Sequence, residues 1–252
     1  MKKSFLNHSN PLLTVMLQCE TPETAIARIR KANCLGADAY GLQIECLEPE
    51  FHNPDTYKRI FLEMKEKPCY VTNYRVANNS GKTDEELSEG LITLAESGAT
   101  LIDVMGDMFC KHPEELTDNE NAIKKQMDLI DKIHSIGSQV LMSSHLYKYA
   151  PAERVLEIAL EQKRRGADII KIVTAADNME QQIENLRITD LLKRKLEAPF
   201  LFLSGGECSL HRRLGMKLGC CMSLCVYEHD SLSTPAQPLL STMKTVRDAI
   251  DF

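Results

Sequence analysis

A lysine and a histidine stand out by type and by surroundings. Lys171 lies in the run GADIIKIVTA, with Ile170 and Ile172 on either side. A lysine in so apolar a strand is not expected to be fully solvated. Burial disfavours the ammonium form and leaves an amine able to attack a carbonyl. The plainer reading packs the stem and gives the amine a carboxylate, and the residue alone does not separate the two. His145 closes QVLMSSH, one βα unit earlier. An imidazole there can move protons for a substrate held on the neighbouring strand. The pair suits Schiff-base chemistry, in which an iminium withdraws electrons and the imidazole carries the proton. The other six histidines are read as surface or structural residues.

Both residues need a scaffold that brings strand ends together. The sequence predicts strands at Leu12–Met16, Ala39–Ile44, Cys69–Arg75, Leu101–Met105, Gln139–His145, Asp168–Thr174, Pro199–Ser204 and Ser223–Tyr227. Helical periodicity falls between them, for example at Thr24–Asn33, Asp84–Glu96, Asn121–Ile136, Glu153–Arg165, Met179–Lys195 and Leu239–Ile250. Alternation at roughly thirty residues per unit is what a (β/α)8 TIM barrel requires. The weakest unit is the short helix Ser209–Leu218. A doubly wound open sheet is the alternative, but no G-x-G-x-x-G follows the first strand. Thr21-Pro22-Glu23 reads as a helix start and Thr83-Asp84-Glu85-Glu86 as a capping box. Gly36, Gly98, Gly137 and Gly166 each fall where a helix must close before a strand. In a barrel the active site gathers at the C-terminal strand ends, which here offer Gln43, Arg75, Asp103, Ser143, His145, Lys171 and Ser204.

Composition narrows the classes. The chain has 252 residues, 43% apolar and 26% charged, which suits two small domains or one large barrel. The pattern favours a single barrel over residues 1–252, with 1–11 as a short N-terminal extension. A net charge of −6 argues against nucleic acid and anionic membranes as partners. The basic clusters Lys163-Arg164-Arg165 and Lys193-Arg194-Lys195 read as solvated helix ends. The first residues, MKKSFLNHSNPLLTVML, show no long apolar core and no cleavage signal, so a cytoplasmic protein without a membrane span is expected. Nine cysteines (19, 34, 46, 69, 110, 208, 220, 221 and 225) are scattered with no C-x-x-C pair. They read as free and mostly buried thiols, and no metal site is expected.

Three segments, Met142-Ser143-Ser144-His145, GADIIK ending at Lys171, and Ser233-Thr234-Pro235-Ala236-Gln237, resemble the signatures of the type I 3-dehydroquinate dehydratases. The resemblance runs from about residue 12 to the C-terminus. It implies a (β/α)8 barrel, a homodimer, no cofactor, and a carboxylated ketone as substrate. The implied reaction is imine formation at a ring ketone, proton abstraction beside it, and loss of water. By position Lys171 would be the Schiff-base lysine and His145 the general acid/base. Arg212 would bind the substrate carboxylate, Ser233 and Gln237 would belong to the lid, and Arg75 would help hold ring hydroxyls.

The departures are specific. Gly41 and Gln43 stand where the family usually has Glu-x-Arg, leaving Gln43 as the substrate contact on strand two. Asn79 replaces a supporting glutamate, Leu146 replaces Asp or Asn after the histidine, Ser204 replaces a methionine, and Ala236 replaces the lid glycine. The family's N-terminal hairpin is shortened. The catalytic pair is retained while the recognition shell is changed, so the expected substrate is 3-dehydroquinate or a related ketone. Two rivals stand beside this reading. One is a class I aldolase using Gly205–Gly206 to hold a phosphate. The other is a non-catalytic barrel that binds a ligand or a protein. A metal held by His145, Asp103 and Glu45 ranks last, since no ligand spacing supports it.

Overall fold

The apolar runs of the sequence become eight parallel strands, and the segments between them become the helices that cover those strands. The computed structural model describes residues 3–207 and 209–250, so Cys208 lies outside the described residues. The strands are β1 (Leu12–Leu17), β2 (Ala39–Gln43), β3 (Cys69–Thr72), β4 (Leu101–Met105), β5 (Gln139–His145), β6 (Ile169–Ala175), β7 (Phe200–Gly205) and β8 (Met222–Cys225). The helices are α1 (Pro22–Leu35), α2 (Pro54–Glu63), α3 (Asp84–Ser97), α4 (Glu120–Ile136), α5 (Ala152–Arg164), α6 (Met179–Lys195), α7 (Leu210–Leu218) and α8 (Leu240–Ala249). Neighbours pair in parallel in the order β7-β6-β5-β4-β3-β2-β1-β8. At the seam the Cys221 N–H donates to Phe200 O at 2.9 Å. The result is a nearly closed (β/α)8 TIM barrel.

Side chains alternate through each strand, since successive Cβ atoms point to opposite faces. On β5, Val140 and Met142 pack toward the helices, while Leu141 belongs to the inner cluster. That parity aims Ser143 and His145 inward and places Lys171 beside Ser143 in the β5–β6 register. Phe5 is 2% exposed and packs among the inward residues Leu12, Ala39, Leu101 and Leu141. Ser4 Oγ and the Phe5 N–H both donate to the Gln139 side chain. The described part of the N-terminal extension therefore seats an aromatic plug at the barrel floor.

Local signals account for the helix ends. Thr21 accepts from the Thr24 N–H with Pro22 in the first turn, and Thr83 with Glu86 forms the reciprocal capping box. Gly137 closes α4 at φ 91°, in the left-handed region a side chain would disfavour. Two expectations need correction. β3 ends at Thr72, so Arg75 sits on the following loop and not at a strand end. Arg165 is 2% exposed rather than solvated. Its guanidinium donates to Gly106 O, Gln126 Oε1 and Thr117 O, fastening the loop between β4 and α4.

Candidate active site

Lys171 rises from the middle of β6 and is 4% exposed. Its Nζ has three N–H donors, and three acceptors lie within reach: Tyr74 Oη at 2.7 Å, Tyr70 Oη at 2.9 Å and Asp103 Oδ2 at 3.1 Å. Both phenols donate to the same Asp103 oxygen, and Ser143 Oγ donates to the other at 2.5 Å. Asp103 is 1% exposed. The plainer expectation for the lysine is thus present in the structure: its amine has found a carboxylate. Burial and the adjacent Asp103 push both phenols well above the usual tyrosine range, so their hydroxyls stay protonated and able to donate.

His145 sits one layer above, opposite Val173 in the β5–β6 register. Glu115 accepts from its backbone N–H at 3.0 Å and lies 2.6 Å from Nδ1. A carboxylate there favours the tautomer with the proton on Nδ1, leaving the Nε2 lone pair for the pocket. Tyr74 meets the imidazole edge-to-face at 5.4 Å, and Tyr147 stacks on it at 5.6 Å. Glu115 comes from the β4–α4 loop, which can approach β5 because position 106 is glycine. A Cβ on Gly106 would stand 2.5 Å from Glu115 O and 3.1 Å from Ser143 O. Ser144 Oγ then donates to Glu115 O at 2.8 Å.

A second cation, half-buried, faces the same space. Arg212 donates from Nε to Ser204 O at 3.0 Å, and among the described residues it forms no ion pair. Burial pulls its guanidinium down to about 10, with Tyr147 partly offsetting that shift. His211 beside it is pulled down to about 3 by burial and by Arg212, so it stays neutral and adds no competing charge.

Lys171, His145, Arg212, Gln43, Tyr74, Glu115, Tyr147, Thr234 and Gln237 all line one cavity of about 540 Å³ at the C-terminal mouth of the barrel. Gln43 Nε2 donates to Glu45 at 3.2 Å, while Gln43 Oε1 and Gln237 Oε1 are buried with no partner among the described residues. Arg75 also lines the wall, but its guanidinium is held by Asp84 at 2.7 and 2.8 Å and by Asp107 at 2.7 Å. Ser233 bonds Asp230 at 2.8 Å and lies outside the cavity lining. The loop carrying it is tied to the end of β1, where Gln18 and Thr234 exchange hydrogen bonds of 2.9 and 3.2 Å. Ser204 is 0% exposed and accepts from Asn185 Nδ2 in α6, so it serves the helix layer.

The changed positions have structural work of their own. A Cβ on Gly41 would stand 2.3 Å from Met16 Sδ and 3.0 Å from Tyr70 Cδ1, so those two side chains fill that space. Asn79 is fully buried and bridges Asn73 and Tyr74 O at 2.8 and 3.0 Å, fixing the loop that carries Tyr74. Leu146 packs in the core, and Ala236 avoids the left-handed region. Gly206 sits at φ 87°, where a Cβ would be 2.5 Å from Ala176 O. Close packing thus accounts for one glycine of the pair considered for a phosphate. Of the described cysteines, Cys19, Cys69, Cys220 and Cys225 are buried, and burial pushes Cys19 up to about 11 and Cys220 to about 12.

Sequence reasoning missed Glu115, Tyr70, Tyr74 and Tyr147, and it read His112 as a surface or structural residue, whereas His112 lines the cavity. None lies at a strand's last residue, so a search confined to strand ends passes over them. Glu115 and Tyr147 both take positive φ, and nothing in their sequence surroundings announces that.

A sequence model described as type I 3-dehydroquinase matches residues 13–251. No curated protein matches the chain. Among solved structures the chain is similar to 3-dehydroquinate dehydratase from Geobacillus kaustophilus, at 16% identity and a TM-score of 0.80, covering 96% of this chain and 91% of that one. The type I enzyme from Clostridium difficile, solved with covalently modified comenic acid, gives 15% identity, a TM-score of 0.80, and coverage of 96% and 93%. The enzyme from Enterococcus faecalis gives 16%, 0.78, and coverage of 97% and 96%. At these identities the structural likeness speaks for the fold.

Proposed function

The chain belongs to the type I 3-dehydroquinase family, and on that premise we propose that it is a Schiff-base-forming hydro-lyase acting on 3-dehydroquinate or a closely related carboxylated cyclic ketone. The meeting of Lys171, His145 and Arg212 on one cavity carries this reading. A half-buried guanidinium without a counter-ion among the described residues suits a substrate carboxylate. With the carboxylate held there, the ring's ketone can lie toward the Lys171 amine.

The chemistry follows from those contacts. The lysine nitrogen bonds the carbonyl carbon, and the carbonyl oxygen leaves as water, giving an iminium beside the Asp103 carboxylate. The iminium acidifies the adjacent C–H, and His145 Nε2 takes that proton. The electron pair moves through the enamine and expels the hydroxyl on the next carbon, which leaves as water with a proton returned by His145. Hydrolysis of the iminium frees the product and restores Lys171. Net, one water is lost from the substrate. Glu115, 2.6 Å from Nδ1, supports this by steadying the imidazolium.

The hydroxyl face of the ring would meet Gln43, Tyr74 and Gln237, since Met16 and Tyr70 leave no volume for a longer side chain at Gly41. Amide and phenol groups in place of a charged pair favour a relative of 3-dehydroquinate as strongly as 3-dehydroquinate itself.

Incubation with 3-dehydroquinate, reduction with borohydride and peptide mass spectrometry tests the reading. The expected product is an adduct on Lys171, lighter by one water and absent from Lys171→Ala. An adduct formed only with other cyclic keto acids would move the substrate and keep the chemistry. A folded protein that traps no ketone at all would sink the proposal.

A further inference from the structure

We propose that Tyr74 is a catalytic acid–base residue which, with Asp103 behind it, shuttles protons from the Lys171 nitrogen to the departing carbonyl oxygen during imine formation. The inference rests on the Schiff-base reading above and assigns a group to its first step.

Proton counting shows why a shuttle is needed. An ammonium and a ketone carry three N–H protons and one oxygen. The iminium keeps one of those protons, and the departing water takes the other two. Charge and atoms balance with no proton gained or lost, so the step needs a group that moves two protons from nitrogen to oxygen. Asp103 can accept a proton from Nζ at 3.1 Å, but it is 1% exposed and cannot hand that proton to an oxygen in the cavity. Tyr74 touches both sides. Its hydroxyl lies 2.7 Å from Nζ, donates to Asp103 Oδ2, and belongs to a side chain on the cavity wall.

The sequence of transfers is then explicit. Nζ gives a proton to Tyr74 as Tyr74 gives its own to Asp103, leaving a neutral amine and a protonated carboxyl. The nitrogen pair forms the C–N bond, the carbonyl π pair moves to oxygen, and that oxygen takes a proton from Tyr74 while Asp103 returns one to the phenol. A second round moves the next N–H proton to the same oxygen, the C–O bond breaks, and water leaves. Asp103 ends ionised beside the iminium, as it began beside the ammonium. His145 is left free for the C–H proton. Tyr70 also borders the cavity and makes the same two kinds of hydrogen bond, to Nζ at 2.9 Å and to Asp103, yet it is 0% exposed whereas Tyr74 is half-buried. It supports the carboxylate from below, and Tyr74 is the phenol in reach of a substrate.

Tyr74→Phe and Tyr70→Phe separate proton transfer from mere loss of a hydrogen bond. Rapid mixing with 3-dehydroquinate, quenched at intervals with borohydride, reads the rate of adduct formation on Lys171 in each. The expected result is that Tyr74→Phe slows trapping about 10²-fold at saturating ketone, while Tyr70→Phe stays within about tenfold of the parent. The half-saturating ketone concentration should stay unchanged in Tyr74→Phe, and the slowed rate should rise with the concentration of an added imidazole buffer. Equal slowing by the two substitutions, or an unslowed Tyr74→Phe, would overturn the shuttle while leaving the lysine chemistry intact. Absence of an adduct from the folded parent protein with 3-dehydroquinate and with other cyclic keto acids alike would remove the Schiff-base reading, and the shuttle with it.

Discussion

Around Lys171 each polar group already has a partner, whereas across the same cavity Arg212, Gln43 and Gln237 hold groups that no other described residue satisfies. The first region is a buried ion pair with two phenols and a serine closing every remaining direction. Such a pair persists in low dielectric only when its hydrogen bonds are complete. The second leaves a half-buried guanidinium and two amide oxygens for a ligand. The contrast teaches a division of labour: the reactive amine is held before a substrate arrives, and the opposite wall gains its partners on binding.

Removing Asp103 should break the satisfied side most severely. Asp103→Ala leaves the Lys171 ammonium buried without its counter-ion, and the expected loss is about 3–5 kcal/mol in urea-induced unfolding. A loss below about 1 kcal/mol would mean that the cluster is not holding that charge. Arg212→Gln should do the reverse. Stability is expected to stay level or rise, because a half-buried charge without an ion pair disappears, while the KM for 3-dehydroquinate rises about 10²–10³-fold and kcat changes far less. A fall in kcat with KM unchanged would place Arg212 on the satisfied side of the comparison.

Glu115→Gln tests the imidazole between the two regions. Loss of the carboxylate at Nδ1 should lower kcat by about 10–100-fold with little change in KM, measured in steady state. The smallest effect is a pH break. As pH rises through about 10, the free protein's Arg212 loses its proton and with it the attraction for a carboxylate. The Kd of an unreactive cyclic carboxylic acid should then rise about tenfold per pH unit above that point, and the break should be missing from Arg212→Gln. A Kd level to pH 11 would show that the guanidinium keeps its charge there.

Much of the scaffold was legible because barrel periodicity is local. β4, β5 and α6 fall on the residues their patterns indicate, and the Thr83–Glu86 box forms as its spacing predicts. β3 was overextended because Tyr74 continues the apolar pattern. There Asn73 turns away from the sheet instead, its Nδ2 donating to Leu87 O at 2.9 Å. Arg75 drew attention as a charged residue near a strand end, but Asp84 and Asp107, from two other segments, occupy its guanidinium. Ser204 misled for a related reason: a residue on the outer face of a strand end serves the helices, not the mouth.

Sequence alone determined the alternation of strands and helices, the inward parity of Ser143, His145 and Lys171, and the pairing of a lysine with a histidine on adjacent strands. Each depends on residues a few positions apart, where backbone geometry fixes direction. Tertiary structure decided which carboxylate serves which base. Asp103 reaches Lys171 across 68 positions, Tyr74 across 97, and Glu115 reaches His145 across 30. Those meetings follow from closure of the barrel and from a glycine-permitted loop approach, and neither leaves a periodic trace in the chain.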